Sequence, residues 1–315
     1  MGQPTGEGFA GPAALCVYLT GFGPFGEVSE NPSATLVKEL AAALGDANAA
    51  TDPLSHQKKS IPPNSCPSST PGTVGSPGIT VKPAECNSPP TEAYVEKTRI
   101  KLCGWEVLEV SADAATEAAY RIHSALNNNR KQEQHLKQLE TNDNSSDVGE
   151  GQRNHEANPS VPDGGRTEEP VALALHFGVN MKSNRWMLET NAKNDARFTC
   201  VDAKGCRPQT ERISCCMPLE YRLRSSLCLE PIAANLRERG FPCGVSDDAG
   251  CFVCNFLYFK SLQESQMSGV TALFVHVPPF SELSLQQQLS AALQLLSILA
   301  QRRTPAEAVS NTTCK

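Results

Sequence analysis

The chain has 315 residues and a formal net charge of -6, and it carries no basic stripe of the kind that binds nucleic acid. No stretch approaches the roughly 20 consecutive apolar residues of a membrane-spanning helix, and the first residues contain no secretory signal. These features argue against nucleic-acid-binding and membrane proteins, and a soluble chain is predicted. The composition, 39% hydrophobic with 23 Pro and 22 Gly, predicts a packed core that polar stretches interrupt.

Thirteen cysteines are scattered along the chain without the regular spacing of a disulfide framework. A chain of this length can bury enough apolar surface without cross-links. We therefore predict reduced thiols and a cytoplasmic location.

The N-terminal part begins with a short apolar strand at residues 15–20. A loop follows at 21–26, where three glycines and a proline disfavour regular structure. Asn31, Pro32 and Ser33 then open a helix that runs to about Leu44, because proline suits the first helical turn.

Two long polar stretches, at residues 46–98 and 127–169, predict disordered insertions. The first is rich in Pro, Ser, Gly and Thr and has no apolar periodicity. The beginning of the second, NNNRKQEQHLKQLE, can instead extend the preceding helix into solvent. The chain is predicted to form one domain over 14–303, which these insertions interrupt, with a flexible tail at 304–315.

Strands and helices alternate along the rest of the chain. Strands are predicted at 105–110, 171–178, 243–246 and 271–277, and helices at 113–126, 218–239, 251–263 and 284–300. Residues 179–208 are predicted to be loop-like, and Pro231 is expected to kink or split its helix. The alternation predicts the α/β class, a three-layer α/β/α sandwich with a twisted, largely parallel central sheet. Functional sites in such folds lie beyond the carboxyl ends of the strands.

Cys254 stands out among the thiols because of its local setting. A strand and a tight turn at Ala249 and Gly250 precede it, so it lies in or near the first turn of a helix. There the unpaired N–H groups and the helix dipole favour a thiolate and can hold an oxyanion. The alternative is a buried, inert cysteine, which is the expected state of most of the thirteen.

His276 lies near the end of an apolar strand, just before Pro278. A lone histidine in such a strand is more often a hydrogen-bonded core residue, but it can also activate a cysteine and protonate a leaving amine. Glu189 by itself is an ordinary surface carboxylate. It gains a role only as the group that orients the imidazole.

Two further features leave alternatives open. Cys251 and Cys254 form a C-x-x-C pair, as in redox or zinc sites, but no second pair stands at zinc spacing and residues three apart on a helix simply share a face. Phe22 and Phe25 flank a Gly-Pro pair, where they either clamp a flat ring or pack beneath the loop.

Together these segments resemble the pyroglutamyl-peptidase I family of cysteine peptidases. The resemblance rests on LTGFGPFG at 19–26 with Asn31-Pro32-Ser33, on SDDAGCFVCN at 246–255, and on FVHVPP at 274–279. The order Glu, Cys, His along the chain is also that of the family. The similar blocks cover roughly 15–44, 105–126 and 171–300, and the two polar stretches have no counterpart.

The resemblance implies a peptidase that removes the N-terminal pyroglutamyl residue from peptides. It implies that Cys254 is the nucleophile, that His276 is the general base and acid, and that Glu189 orients the imidazole. No cofactor and no metal are expected. Peptides with an N-terminal pyroglutamyl group are the expected partners, and the oligomeric state stays open.

The same resemblance implies four substrate-binding residues. Phe22 and Phe25 would pack on the pyrrolidone ring, and Asn31 would lie near the pocket. Arg197, in Asn194-Asp195-Ala196-Arg197, would approach the oxyanion, although its spacing from the glutamate is shorter than in bacterial members.

Two rival functions remain open at the level of sequence. One is a catalytically silent binding or scaffold protein on the same fold, for which binding of pyroglutamyl peptides without turnover would be diagnostic. The other is a thiol redox protein that uses Cys251 and Cys254, for which a mid-range reduction potential would be diagnostic.

Overall fold

The computed structural model describes residues 15–45, 100–143 and 171–301. The predicted insertion at 46–98, residues 144–169 of the second insertion and the tail at 304–315 lie outside the described residues. The extent of the domain, 14–303, therefore stays a prediction.

The described ranges form strands and helices in alternation. The strands are β1 (Leu15–Phe22), β2 (Ile100–Leu108), β3 (Val171–Val179), β4 (Trp186–Glu189), β5 (Asn191–Lys193), β6 (Arg222–Arg224), β7 (Cys243–Ser246) and β8 (Thr271–Val277). The helices are α1 (Pro32–Ala43), α2 (Ala112–Asp143), α3 (Leu229–Glu238), α4 (Val253–Ser268) and α5 (Leu285–Gln301). None of these helices has the length and apolar character needed to cross a membrane.

The main sheet has six strands in the order β2-β1-β3-β8-β4-β7. The first four run parallel, whereas β4 pairs antiparallel with β8 and parallel with β7. Strands β5 and β6 form a separate two-stranded antiparallel sheet. The prediction of an α/β class with a largely parallel sheet is confirmed, and the reversed direction of β4 and β7 is the exception.

Helices cover both faces of the main sheet, with α1, α3 and α5 on one face and α2 and α4 on the other. Side chains alternate between these faces along each strand. In β8, Val275 packs under the first group of helices and Phe274 under the second, so His276 points toward α2 and α4. In β4, Leu188 packs under the first group, so the next residue, Glu189, also points toward α4.

The predicted helix over 218–239 is wrong in its first half. Arg222–Arg224 is strand β6, and only Leu229–Glu238 is helical. Leu223 is buried because it is the inward residue of a strand that pairs with Asn191–Lys193. Pro231 is the third residue of this helix and is tolerated there, since it lies in the first turn, where a missing N–H leaves no bond unmade. Strands β4 and β5 likewise replace part of the predicted loop at 179–208.

Helix α2 continues to Asp143. The predicted disordered insertion at 127–169 is therefore wrong for residues 127–143, where its alternative, a helical extension, holds. Gln, Lys, Arg and Glu dominate this segment and are good helix formers, so propensity outweighs the absence of an apolar stripe.

A chain of buried hydrogen bonds ties the sheet to α4 and α2. Thr20 Oγ1 lies 2.8 Å from His176 Nδ1, and His176 Nε2 lies 2.8 Å from Ser261 Oγ. The same hydroxyl lies 2.8 Å from His123 Nε2, and His123 Nδ1 lies 3.0 Å from Ser268 Oγ. Burial lowers the pKa of His176 to about 3 and that of His123 to about 4, so both rings are neutral at neutral pH.

These neutral histidines predict that acid destabilises the fold. An unfolded chain binds protons on both rings near their ordinary pKa of 6.5, whereas the folded chain resists protonation down to about pH 4 and pH 3. The free energy of unfolding is therefore expected to fall as the pH decreases from about 6.5 toward 4. Each histidine contributes up to about 1.4 kcal/mol per pH unit within this window. Denaturant titrations at a series of pH values measure the slope.

Two variants isolate the contribution of the buried rings. His123→Asn removes one buried imidazole and should flatten the pH slope, even though its stability at pH 7 will be lower. His135→Asn is the control, because His135 is exposed on the same helix and should leave the slope unchanged. Equal slopes for the wild type and His123→Asn would contradict the argument.

Candidate active site

Cys254 lies in the first turn of α4, directly after the turn that follows β7. Gly250 has a φ of 86°, in the left-handed region that favours glycine, and its N–H donates to the Asp248 carboxylate at 3.0 Å. Phe252 is the N-cap of α4 and offers no side-chain acceptor. The first N–H groups of the helix therefore point out of its end without helical partners, beside the Cys254 thiol.

Gly178, on β3, forms the floor beneath the Cys254 sulfur. It pairs in register with His276 on β8. A Cβ added at this position would lie 2.9 Å from Cys254 Sγ and 2.8 Å from Phe274 Cζ, closer than real Cβ atoms approach. The position admits only glycine unless the thiol or the ring moves.

We expect Gly178→Ala to lower kcat/KM strongly. The added methyl group displaces Cys254 Sγ or the Phe274 ring, and a misplacement of about 1 Å can reduce turnover roughly 100-fold. The assay is turnover of the substrate proposed below, with the rate of alkylation by iodoacetamide as a second readout of the thiol. Thermal unfolding is the control, since a variant with wild-type turnover and wild-type stability would contradict the close packing.

Glu189 on β4 and His276 on β8 form a buried pair between two neighbouring strands of the main sheet. Their strands pair antiparallel, with Glu189 opposite Phe274, which brings the carboxylate diagonally to the imidazole. Glu189 Oε1 lies 2.7 Å from His276 Nδ1. Glu189 is 1% exposed and His276 is 8% exposed, so little water competes for this contact.

The charges around His276 hold a proton on its ring. Burial disfavours the imidazolium, but hydrogen bonds to Cys254 and Glu189, together with their negative charges, outweigh it and raise the pKa of His276 to about 10. At neutral pH the ring is therefore positively charged. This charge faces the Cys254 sulfur on one side and the Glu189 carboxylate on the other.

Two polar residues of α4 brace this arrangement, and the sequence analysis assigned no role to either. Tyr258 donates its hydroxyl to the backbone carbonyl of Glu189 at 2.8 Å. The Asn255 amide accepts from Lys193 N at 2.8 Å and donates to Lys193 O at 3.0 Å, which fastens β5 to the start of α4. The spacing was a usable signal for Tyr258, because it follows Cys254 by four residues and so shares its helix face.

Aromatic side chains form a cluster at the start of α4, next to Cys254 in sequence. The rings of Phe25 and Phe252 lie 5.3 Å apart, and those of Phe198 and Phe252 lie 4.8 Å apart. Phe25 and Phe252 are partly exposed, whereas Phe22 is 3% exposed and packs in the core under α2 and α4. Phe252 and Phe198 are members of this cluster that sequence analysis missed, although Phe252 lies two residues from the nucleophile.

Asn31 is buried and caps α1. Its side chain accepts from Ser33 N at 3.1 Å and donates to the Gly23 carbonyl at 3.0 Å. These bonds hold the glycine-rich loop at the end of β1, and they engage both the oxygen and the nitrogen of the Asn31 amide. A direct contact between Asn31 and a substrate stays a prediction.

Arg197 is engaged with Asp195. Its guanidinium donates from Nε at 3.0 Å and from a terminal nitrogen at 2.7 Å to the two oxygens of that carboxylate, while its side chain is 54% exposed. Cys251 Sγ lies 3.9 Å from the same carboxylate. Burial, followed by the Asp195 charge, raises the pKa of Cys251. The role of Arg197 at an oxyanion stays a prediction.

The structure thus brings together three of the seven predicted site residues, Cys254, His276 and Glu189, around one point at the end of β3 and β8. Phe25 lies in the aromatic cluster beside them through Phe252. Within the described residues, no group of three or more His, Cys, Asp and Glu side chains is arranged to hold a metal ion.

Part of the sequence of this chain matches pyroglutamyl peptidases. Residues 167–311 match the family model described as pyroglutamyl peptidase. A pyrrolidone-carboxylate peptidase of Thermococcus litoralis is 37% identical over 108 residues, which cover 34% of this chain and 48% of that protein. The pyroglutamyl-peptidase 1-like protein of Homo sapiens is 28% identical over 125 residues, covering 39% of this chain and 60% of that protein. The chain spans about half the length of the curated relatives it matches.

Solved structures share the fold over most of the chain. The pyrrolidone carboxyl peptidase of Fervidobacterium islandicum superimposes with a TM-score of 0.52 at 22% identity and covers 90% of this chain and 98% of its own. The pyroglutamyl peptidase I of Bacillus amyloliquefaciens gives a TM-score of 0.52 at 18% identity, with 92% and 96% covered. The solved structures thus share the fold of this chain, and residues 167–311 are similar in sequence to the pyroglutamyl peptidase family.

Proposed function

We propose that this protein is a cysteine-type omega peptidase that hydrolyses the N-terminal pyroglutamyl residue from peptides. The observation that carries the proposal is the buried 2.7 Å contact between Glu189 and His276, next to a thiol in the first turn of a helix. Nucleophile, base and orienting carboxylate in this arrangement suit acyl transfer. The names of the relatives point to the same activity.

In the first step, the Cys254 sulfur attacks the carbonyl carbon of the pyroglutamyl group. The carbonyl oxygen becomes an oxyanion, which the free N–H groups at the start of α4 are positioned to receive. His276 carries a proton at neutral pH and gives it to the nitrogen of the departing peptide as the C–N bond breaks. The product is a thioester on Cys254 and a peptide with a free amino terminus.

In the second step, water hydrolyses the thioester. His276, now neutral, takes a proton from the water while its oxygen bonds to the carbonyl carbon. The C–S bond then breaks, pyroglutamate leaves, and the thiolate and imidazolium return. Glu189 keeps the ring oriented through both steps. Its Oε1 binds Nδ1, which leaves Nε2 free to exchange protons with the leaving amine and the attacking water.

Recognition of the pyrrolidone ring is assigned to the aromatic cluster. Phe25 and Phe252 have partly exposed rings 5.3 Å apart, Phe252 is the N-cap of the helix that carries Cys254, and a small flat lactam can pack on such faces. The lactam has no charged amine, so selection by ring packing and backbone hydrogen bonds is chemically sufficient. Phe22, in the core beneath, supports the loop that carries Phe25.

The proposed reaction uses only side chains and backbone groups of the chain, and it requires Cys254 in the reduced state. That requirement suits a reducing compartment, and we place the enzyme in the cytoplasm. Peptides with an N-terminal pyroglutamyl group are the proposed partners.

Hydrolysis of a pyroglutamyl fluorogenic amide tests the proposal, with the matching alanyl amide as a substrate control. We expect release of the fluorophore from the pyroglutamyl amide only, and loss of release after treatment with iodoacetamide. Saturable binding of the pyroglutamyl amide without turnover would instead support the silent binding protein. Equal turnover of the alanyl amide would contradict the assigned specificity.

A further inference from the structure

Cys16 and Cys103 form a second thiol centre, outside the candidate active site. Cys16 is the second residue of β1, at its amino end, whereas the glycine-rich loop leaves its carboxyl end. At about 3.3 Å per residue, Cys16 lies roughly 20 Å along the strand from Phe22. Strand β2, which carries Cys103, is the edge strand of the main sheet.

A β-bulge brings the two thiols to the same face of the sheet. Cys16 pairs with Lys101 and Val17 with Leu102, but Tyr18 pairs with Gly104, so Cys103 is an extra residue without a partner in the ladder. Both cysteines pack toward α2, Cys16 within the core and Cys103 at its margin. Cys103 Sγ lies 3.8 Å from the carbonyl oxygen of Lys101, the residue that pairs with Cys16, and each thiol shifts the pKa of the other, which places the two sulfur atoms close together.

Two charged groups flank the pair. Cys16 Sγ lies 3.6 Å and 3.8 Å from the two carboxylate oxygens of Glu133, on α2. Lys101 Nζ lies 2.6 Å from Glu133 Oε1, which holds this carboxylate over the strands. A cation, a carboxylate and two adjacent thiols thus meet at one edge of the sheet.

The surroundings give the two sulfurs different properties. The neighbouring Cys16 thiol, aided by the positive charge of Lys101, lowers the pKa of Cys103. The contact with Cys103, then burial, raises the pKa of Cys16. Cys103 is partly exposed and Cys16 is 1% exposed. This is the division expected of an attacking thiolate that meets solvent and a protonated resolving thiol behind it.

We propose that Cys16 and Cys103 are a peroxide-reactive dithiol that closes to a reversible disulfide within the chain. The Cys103 thiolate attacks one oxygen of a hydroperoxide and the O–O bond breaks, so that Cys103 becomes a sulfenic acid and the departing oxygen takes a proton from solvent and leaves as water or an alcohol. Cys16 gives its proton to the Glu133 carboxylate and attacks the Cys103 sulfur. The S–S bond forms as the S–O bond breaks, and the hydroxide takes the proton from Glu133 and leaves as water, which restores the carboxylate. The two cysteines are oxidised and the peroxide is reduced.

The test uses the full chain with the substitution Cys254→Ala, so that oxidation of the candidate nucleophile does not interfere and the result is independent of the proposed activity. The protein is treated with limiting hydrogen peroxide, its remaining thiols are alkylated, and non-reduced digests are analysed by mass spectrometry. We expect a peptide pair joined through Cys16 and Cys103 that dithiothreitol separates. The exposed neighbours Cys215 and Cys216, whose sulfurs lie 3.8 Å apart, provide an internal comparison and should oxidise more slowly.

Two variants test the separate roles. Cys16→Ser should leave Cys103 as a sulfenic acid that dimedone traps. Glu133→Gln, at a partly exposed position that leaves both thiols in place, should slow disulfide closure at least about 10-fold without slowing sulfenic acid formation, because it removes the proton acceptor. A Cys103 thiol that stays alkylatable when Cys215 and Cys216 are oxidised, or that pairs with another cysteine, would overturn the proposal. If the disulfide closed at the same rate in Glu133→Gln as in its parent, Glu133 would not be the proton acceptor.

Discussion

Cys254→Ala is expected to abolish hydrolysis of a pyroglutamyl amide, to less than about one thousandth of the wild-type kcat. The variant keeps the turn at Gly250 and the first turn of α4, so the N–H groups and the His276–Glu189 pair remain. What disappears is the sulfur that bonds to the carbonyl carbon. Without a covalent intermediate, only unassisted attack by water is left.

Cys251→Ala is the matched control for this prediction. Cys251 lies three residues earlier and contacts the Asp195 carboxylate rather than a catalytic group. Its removal should keep most of the activity, and its alkylation should not change turnover. Steady-state kinetics of the two variants, with thermal unfolding to verify folding, decide the matter. Retained activity in Cys254→Ala, or loss of activity only in Cys251→Ala, would contradict the assignment of Cys254 as the nucleophile.

The second large effect is expected at the histidine and its carboxylate. His276→Ala should be nearly inactive, because it removes both the proton donor to the leaving amine and the base for deacylation. Glu189→Gln should be intermediate, with kcat reduced roughly 10²- to 10⁴-fold, since an amide can still accept a hydrogen bond from Nδ1 but carries no charge to stabilise the imidazolium. The pKa of His276 should fall in this variant, because the negative charge of Glu189 is one of the causes that raise it.

Stability has to be measured alongside these rates. Glu189 Oε2 is buried and has no hydrogen-bond partner among the described residues. In Glu189→Gln an amide nitrogen can take the place of this oxygen and bury unsatisfied N–H groups, which costs about 1–3 kcal/mol. A folded Glu189→Gln variant with full activity and an unchanged pH profile would show that the carboxylate only fills space.

The sequence predicted elements well where their signals are local. The run Val171–Val179 is apolar except for His176, as suits a strand buried on both faces, and Pro32 starts its helix as expected. The helix predicted over 218–239 failed for the opposite reason. Leu223 fits an apolar helical spacing, but the pairing of Arg222–Arg224 with Asn191–Lys193 makes it the inward residue of a strand. No window of neighbouring residues contains that partner.

In the candidate site, too, local features could be predicted from the sequence and contacts between remote residues could not. The setting of Cys254 was predictable because a strand, a glycine turn and a helix start are adjacent in sequence, and the resemblance of 246–255 to the family segment added its role. The commitment of Arg197 to Asp195 and of the Asn31 amide to the Gly23 carbonyl was not predicted. Each side chain has several polar groups within reach, and only the folded backbone selects among them.

The sequence by itself thus determined the strand–turn–helix around Cys254 and the position of His276 near the end of an apolar strand, since both follow from residues a few positions apart. Only the tertiary structure decided that Glu189 is buried, on a short strand that runs against β8 and reaches His276 across 87 residues of chain. Pairing between remote strands depends on which edges and hydrogen-bond partners are available when the core packs. That is why a carboxylate that resembles a surface residue in the sequence becomes the buried partner of the imidazole beside Cys254.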